Sequence, residues 1–197
     1  MIRTLDDVEQ YTATLARAYP QLAQEIHLKR TGSSEFELAR LRRALPKLPA
    51  SYIDVIRQWD VEAVTIGLFR LAPRRFDTAG ELISRLIAAN GPSNPIHPIL
   101  ERAGMCEVAA WEADPICARM AGKADAGSLF RLSIDAPDEP RRLASSFEEL
   151  IVRAAALDSV RATGGGVEGF AQAASLPETG PVREEWLRFA EVALTEP

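Results

Sequence analysis

The apolar positions of this chain change period along its length, and the changes predict the elements. Leu5, Val8, Leu15, Tyr19, Leu22 and Ile26 recur at steps of three, four or seven, the spacing of an amphipathic helix. Thr4-Leu5-Asp6-Asp7 is a capping box of the Thr-x-x-Asp kind, so a helix is predicted over Leu5 to Ala18. Pro20 ends it, kinks it, or opens a second short helix at its first turn. Ser34 caps again with Glu37 three residues on, and Phe36, Leu41 and Leu45 carry a helix to about Leu45. Pro49 suits a helix start, and Tyr52, Ile53, Val55, Ile56 and Trp59 give that helix its apolar face.

Period two then takes over. Val64 to Leu71 alternates loosely and is read as the first strand, ended at Pro73-Arg74-Arg75. Asp77 or Thr78 caps a helix with Leu82, Ile83, Leu86 and Ile87 inward, and Asn90-Gly91 is its C-terminal signal. A loop with three prolines, Pro92 to Pro98, precedes a helical turn over Ile99 to Ala103. From Cys106 to Trp111, Cys106, Val108 and Ala110 alternate with Glu107, Ala109 and Trp111, as in a half-buried strand. Ala113-Asp114-Pro115 is a turn signal, and Ile116 to Met120 follows as the antiparallel partner. Gly122 to Gly127 suits a loop tip, and Leu129 to Ile134 alternates again. The prolines of the stretch from Asp135 to Pro140 cannot donate to a ladder, so it turns.

The C-terminal part is helical. Ser145 or Ser146 is a good N-cap, with Glu148 and Glu149 placed in the first turn. Phe147, Leu150, Ile151, Ala154 and Leu157 form one stripe, expected to be buried against the sheet. Thr163-Gly164-Gly165-Gly166 breaks the pattern. A short helix over Val167 to Leu176 and a last helix opened by Pro181, with Trp186, Leu187, Phe189 and Leu194, follow it. The expected organisation is an α+β domain over residues 1–163 and a separable C-terminal helical extension over residues 164–197. Within the domain, N-terminal helices over residues 4–60 precede an antiparallel β-meander of about four to six strands with helices packed on one face.

Two motifs in this order resemble the SUKH superfamily, bacterial immunity proteins related to the yeast cell-wall-assembly regulators. One is the Leu-Pro-x-x-Tyr helix start, here Leu48-Pro49-Ala50-Ser51-Tyr52, followed by Ile53-Asp54-Val55-Ile56. The other is a short strand and a Ser-Phe-Glu-Glu helix, here Leu143-Ala144-Ser145-Ser146-Phe147-Glu148-Glu149-Leu150-Ile151. The resemblance spans about Ser34 to Arg161, and departs where the family has an Asn-Gly-Gly-like turn and this chain has Gln58-Trp59-Asp60. It implies a protein-binding function without catalysis: an immunity protein that neutralises a cognate toxin by direct binding. The alternatives are a regulatory scaffold for an endogenous partner and an enzyme with a loop-borne site.

Composition narrows the classes. The 197 residues are 47% hydrophobic and 26% charged, as in ordinary globular proteins. No apolar run approaches the roughly 20 residues of a membrane span, and the N-terminus has no signal-like apolar region, so a cytoplasmic location without membrane contact is expected. The net charge of −5 argues against a general nucleic-acid binder and permits a basic protein partner.

The candidate chemistry is sparse. Cys106 and Cys117 are the only cysteines. Adjacent strands permit a disulfide, whereas a cytosolic chain favours two buried, reduced thiols. His27 and His97 have no partner at metal-ligand spacing. Arg40, Arg42, Arg43 and Lys47 read as a solvated helix face with no interleaved aromatics. The Gly-rich stretch lacks the Gly-Lys-Ser/Thr ending of a P-loop, no Gly-x-Ser-x-Gly elbow occurs, and no cofactor is expected. The candidate partner-binding residues are Trp111, Glu112 and Asp114. Period two puts Trp111 on the face opposite Cys106-Val108-Ala110, where an aromatic ringed by carboxylates would suit a basic toxin domain. The alternative is that helices cover this face and make Trp111 part of the core.

Overall fold

The structure is a computed structural model that describes residues 1–73, 81–133, 135–136 and 138–195. The predicted cap at Asp77 or Thr78, and parts of the turn signals at Arg74-Arg75 and Pro137, lie outside these residues, as does Ile134. The first helix, α1 (Leu5–Ala18), has the expected bounds, and its Thr4–Asp7 capping box is formed in both directions. Pro20 opens a 3-10 turn (Pro20–Leu22), which runs into α2 (Ala23–Ile26). Ser34 and Glu37 close a second capping box at the head of α3 (Glu35–Ala44), and α4 (Ala50–Gln58) follows Pro49. The inward stripe of α1 is Leu5, Val8, Thr12 and Ala16, while Tyr19 and Leu22 are exposed. Phe36 is 82% exposed, and Leu38 with Leu41 takes the inward place on α3.

The predicted first strand is a tight hairpin instead. Thr65–Ile66 (β1) and Phe69–Arg70 (β2) pair antiparallel around Gly67, whose φ of 57° is left-handed. Glycine takes that conformation without the Cβ penalty that a run of β-branched residues would carry, so the chain reverses there. Then come α5 (Leu82–Ala89) and α6 (His97–Ala103). The central strands β3 (Met105–Trp111), β4 (Asp114–Arg119), β5 (Leu129–Arg131) and β6 (Arg141–Ala144) lead to α7 (Phe147–Ala162), α8 (Val167–Ala173) and α9 (Pro181–Thr195). Strands β1 to β6 form one antiparallel sheet in sequence order, a meander of six strands. With the helices this is the α+β architecture that the pattern predicts.

The main core lies between one sheet face and a layer that includes α1, α4, α5, α7 and α9. A smaller cluster of Leu100, Met105, Cys117, Phe130 and Leu132 sits on the other face beneath α6. Helix α7 is the hub. Phe147, Leu150 and Ile151 are buried as expected, and Ala154, Ala155 and Ala156 are buried too, because small side chains let neighbouring elements approach a helix on several sides.

Two bulges shape the sheet. The register between β3 and β4 passes from Glu107↔Cys117 to Ala109↔Ile116, so Val108 is the extra residue. Between β5 and β6 it passes from Leu129↔Ala144 to Phe130↔Arg142, so Leu143 is extra. A bulge residue drops out of the regular ladder, and both bulge carbonyls are met by side chains of the helical layer. Tyr52 Oη–H donates to the Val108 carbonyl at 3.5 Å. Arg153 Nη1 at 2.7 Å and Trp186 Nε1 at 2.8 Å both donate to that of Leu143.

Trp186 also bears on the expected division of the chain. Residues 164–197 contain α8 and α9, as the Gly break suggests, but they share the main core. Trp186, Phe189 and Phe170 are fully buried, and Trp186 and Phe189 pack on Phe69 of β2. The extension therefore packs as a wall of the domain. The physical reason is the exposed flank of β6, an edge strand that α9 covers.

Candidate functional site

The end of the β3–β4 hairpin holds the three candidate residues. Trp111 and Asp114 face each other across the strands, so the connection is the two-residue Glu112-Ala113, one position earlier than the turn signal suggests. Asp114 and Pro115 are already strand. Glu112 has φ 50°, a left-handed conformation in a non-glycine residue.

Trp111 is on the core face, the same side as Cys106 and Val108, not on the opposite one. The cause is the Val108 bulge. One extra residue inverts the alternation, so Ala109 and Trp111 return to the face that Cys106 left. Trp111 is half-buried, with its ring 4.6 Å from that of Phe189 in α9 and the Arg131 guanidinium over it at 5.0 Å. Helical cover, the alternative reading of this tryptophan, is what the structure has.

The carboxylates here do not ring an open aromatic. Asp114 pairs with Arg131 Nε at 3.5 Å. Arg131 also reaches Glu185 at 3.0 Å, and Glu185, whose side chain is 2% exposed, takes Arg141 at 3.8 Å and Arg188 at 3.5 Å. Three arginines thus meet two carboxylates, and Arg141 and Arg188 are solvent-facing. Only Glu112 of the three candidates is exposed. Trp111 Nε1, Arg131 Nε and Glu185 Oε1 are buried without hydrogen bonds of their own, although the last two are ion-paired. This mixed-charge knot is not legible in the sequence. Arg131 carries no signal there beyond strand alternation, and Glu185 reads as a first-turn helix carboxylate.

The other titratable groups are tied into structure. Cys106 and Cys117 are free, buried and on opposite sheet faces, since Cys106 pairs with Ala118 and Cys117 with Glu107, one step along. Side chains on opposite faces cannot bridge. Burial pushes the Cys106 thiol up to about 11 and Cys117 well above its usual range, so both stay protonated near neutral pH and are poor nucleophiles. Burial of the Glu149 carboxyl works to raise its pKa. Hydrogen bonds from the Ser145 hydroxyl and N–H, with Arg153 beside it, outweigh burial and hold it below the usual range. Tyr11 is raised by burial and by Asp158, which accepts its hydroxyl proton at 2.8 Å. Among the described residues, no three His, Cys, Asp or Glu side chains converge as metal ligands, and no helix is long and apolar enough to cross a membrane.

Two grooves remain. One of about 470 Å³ runs along Asp6, Arg30, Asp54, Trp59 and Glu148. Its charges are largely paired, Arg30 with Asp6 and Glu9, and Asp54 with Arg57. The other, about 520 Å³, lies where the α3–α4 connection meets the β4–β5 loop. No family model, no curated protein and no solved structure matches this chain.

Proposed function

We propose that this chain is a protein-binding domain that acts without catalysis, an immunity protein of the SUKH kind that neutralises a cognate toxin by direct contact. The observation that carries the reading is a meeting of its two motifs. Tyr52 of Leu48-Pro49-Ala50-Ser51-Tyr52 and Phe147 of Ser146-Phe147-Glu148-Glu149 are far apart in sequence, yet their rings lie 4.7 Å apart in the core. Motifs that pack on one another are parts of a single scaffold, which is how a fold-level resemblance gains physical content. The reading is supported at the C-terminal motif, where a meander of strands and a short strand precede the Ser-Phe-Glu-Glu helix. The enclosed, protonated thiols support a role outside nucleophilic chemistry.

The partner contact in this reading is the β3–β4 hairpin end. Glu112 stands out from it, and Arg141 and Arg188 border the paired Asp114 and Glu185. Such a mixed rim favours a partner of matching pattern over a uniformly basic one, since like charges brought together cost several kcal/mol. The test is co-expression with the product of the gene immediately upstream. Rescue of growth together with a co-eluting complex supports the reading, and a Glu112→Arg variant should weaken that complex. A product that is not toxic, or that neither binds nor is neutralised, overturns it.

A further inference from the structure

The 520 Å³ groove is lined from four stretches of chain, residues 44–47, 90, 97–106 and 120–123, and carries charge that is not ion-paired among the described residues. Its apolar floor includes Leu100 and Met105, both buried, with Met120 at the side. Its rim carries Lys47, Lys123 and His97, against one carboxylate, Glu101. The Ala121 N–H donates to the Lys47 carbonyl at 2.8 Å, which ties the two lysine-bearing loops together. Gly104 ends α6 with a φ of 64°, and a Cβ there would lie 2.8 Å from Lys123 Cε. The Lys123 stem therefore lies across a glycine that leaves room for it. Both lysines are exposed, and neither forms an ion pair among the described residues. Elsewhere among the described residues of this chain, of net charge −5, eleven arginines form ion pairs with carboxylates.

From this placement we propose that the groove is a binding site for a small amphiphilic organic anion. Its apolar body would lie on Leu100, Met105 and Met120 and its acidic head between Lys47 and Lys123. The volume is in the range of small-molecule sites, about 300–1,000 Å³, and the make-up is theirs too, an apolar floor with a few convergent polar groups. Two unpaired ammonium groups beside apolar surface select an anion over a neutral molecule of the same shape, because each charge-assisted contact is stronger than a neutral one. The inference is independent of the toxin-neutralising reading and stands or falls without it.

The test uses two fluorescent probes of similar shape and different charge. These are 8-anilinonaphthalene-1-sulfonate, which is anionic, and N-phenyl-1-naphthylamine, which is neutral. The full chain should bind the sulfonate saturably at one site. Lys47→Ala with Lys123→Ala should weaken that binding at least tenfold while the neutral probe changes by less than twofold, and Lys47→Arg with Lys123→Arg should restore it. Met120→Trp, which fills the groove from its side, should remove both probes while the melting temperature holds. Three results would each overturn the assignment: no saturable sulfonate binding, equal sulfonate affinity in the double alanine variant, or equal loss of both probes in that variant.

Discussion

Trp186 Nε1 donates to the Leu143 carbonyl at 2.8 Å, and so joins the last helix to a bulge in the edge strand. The same carbonyl accepts from Arg153 in α7. One oxygen thus fastens β6, α7 and α9, and the indole that supplies the bond is fully buried against Phe69, Phe170 and Phe189. Truncation after Gly165 should therefore give a chain without a cooperative melting transition. Trp186→Ala should cost about 3–5 kcal/mol. Trp186→Phe keeps most of the apolar packing but cannot donate to the carbonyl, and should cost on the order of 1–3 kcal/mol. A truncated chain that melts cooperatively near the full-length temperature would show the last two helices to be a true appendage.

The hub helix gives a second expectation. Phe147 is buried and its ring meets that of Tyr52. Phe147→Ala removes that ring and leaves a cavity, for about 3–5 kcal/mol by chemical denaturation. Phe147→Leu, closer in volume, should cost clearly less. Equal losses for the two variants would mean that the site tolerates collapse and that the ring is not what holds it.

Much of this architecture is legible in the sequence because its signals are local. The boxes Thr4–Asp7 and Ser34–Glu37 give helix starts to the residue, and the Ser145-Ser146 pair gives the start of α7 to within one residue. The hydrophobic alternation and its turn signals give β3 to β5 in order, and β6 corresponds to the short strand that the resemblance places before the Ser-Phe-Glu-Glu helix. What is not legible depends on registration between distant segments. The Val108 bulge leaves no mark in the pattern Cys106-Glu107-Val108-Ala109-Ala110, since an alanine fits either face, yet it decides where Trp111 points. The burial of Glu185 follows from Arg131, fifty-odd residues upstream and unremarkable in its strand. Spacing along α9 gives Trp186 an apolar face without saying that the face belongs to the main core. The groove between Lys47 and Lys123 exists because two loops are hydrogen-bonded, an arrangement that no periodicity encodes.

The hairpin end supplies a prediction of opposite sign. Glu112 holds a φ of 50° in a two-residue connection. An L-residue in that region costs roughly 1–2 kcal/mol, offset in part by the extra chain entropy that glycine loses on folding. Glu112→Gly should leave the protein as stable or stabilise it by up to about 1 kcal/mol. A clear loss of stability would show that the side-chain interactions of Glu112 outweigh its backbone strain.

Acid stability should depend on Glu149. Hydrogen bonds from Ser145 and the nearby Arg153 hold its folded pKa below the ordinary value of 4.5, against the opposing effect of burial. A carboxyl depressed in the folded state contributes stability above its unfolded pKa and loses it as pH falls through the folded value. Glu149→Gln should therefore be less stable than the parent at neutral pH, and the difference should shrink below pH 4.5. A difference that stays constant across that acid range would place the contribution in hydrogen bonding alone, not in charge.

Binding is the central claim, and one titration tests it most directly. The purified chain is titrated by calorimetry with the purified, inactivated product of the gene immediately upstream, at two salt concentrations. The expected result is a saturable complex whose affinity falls with salt and falls further in Glu112→Arg, because the proposed contact runs through the charged hairpin end. No heat of binding at any concentration up to solubility, with both proteins folded, contradicts the immunity reading.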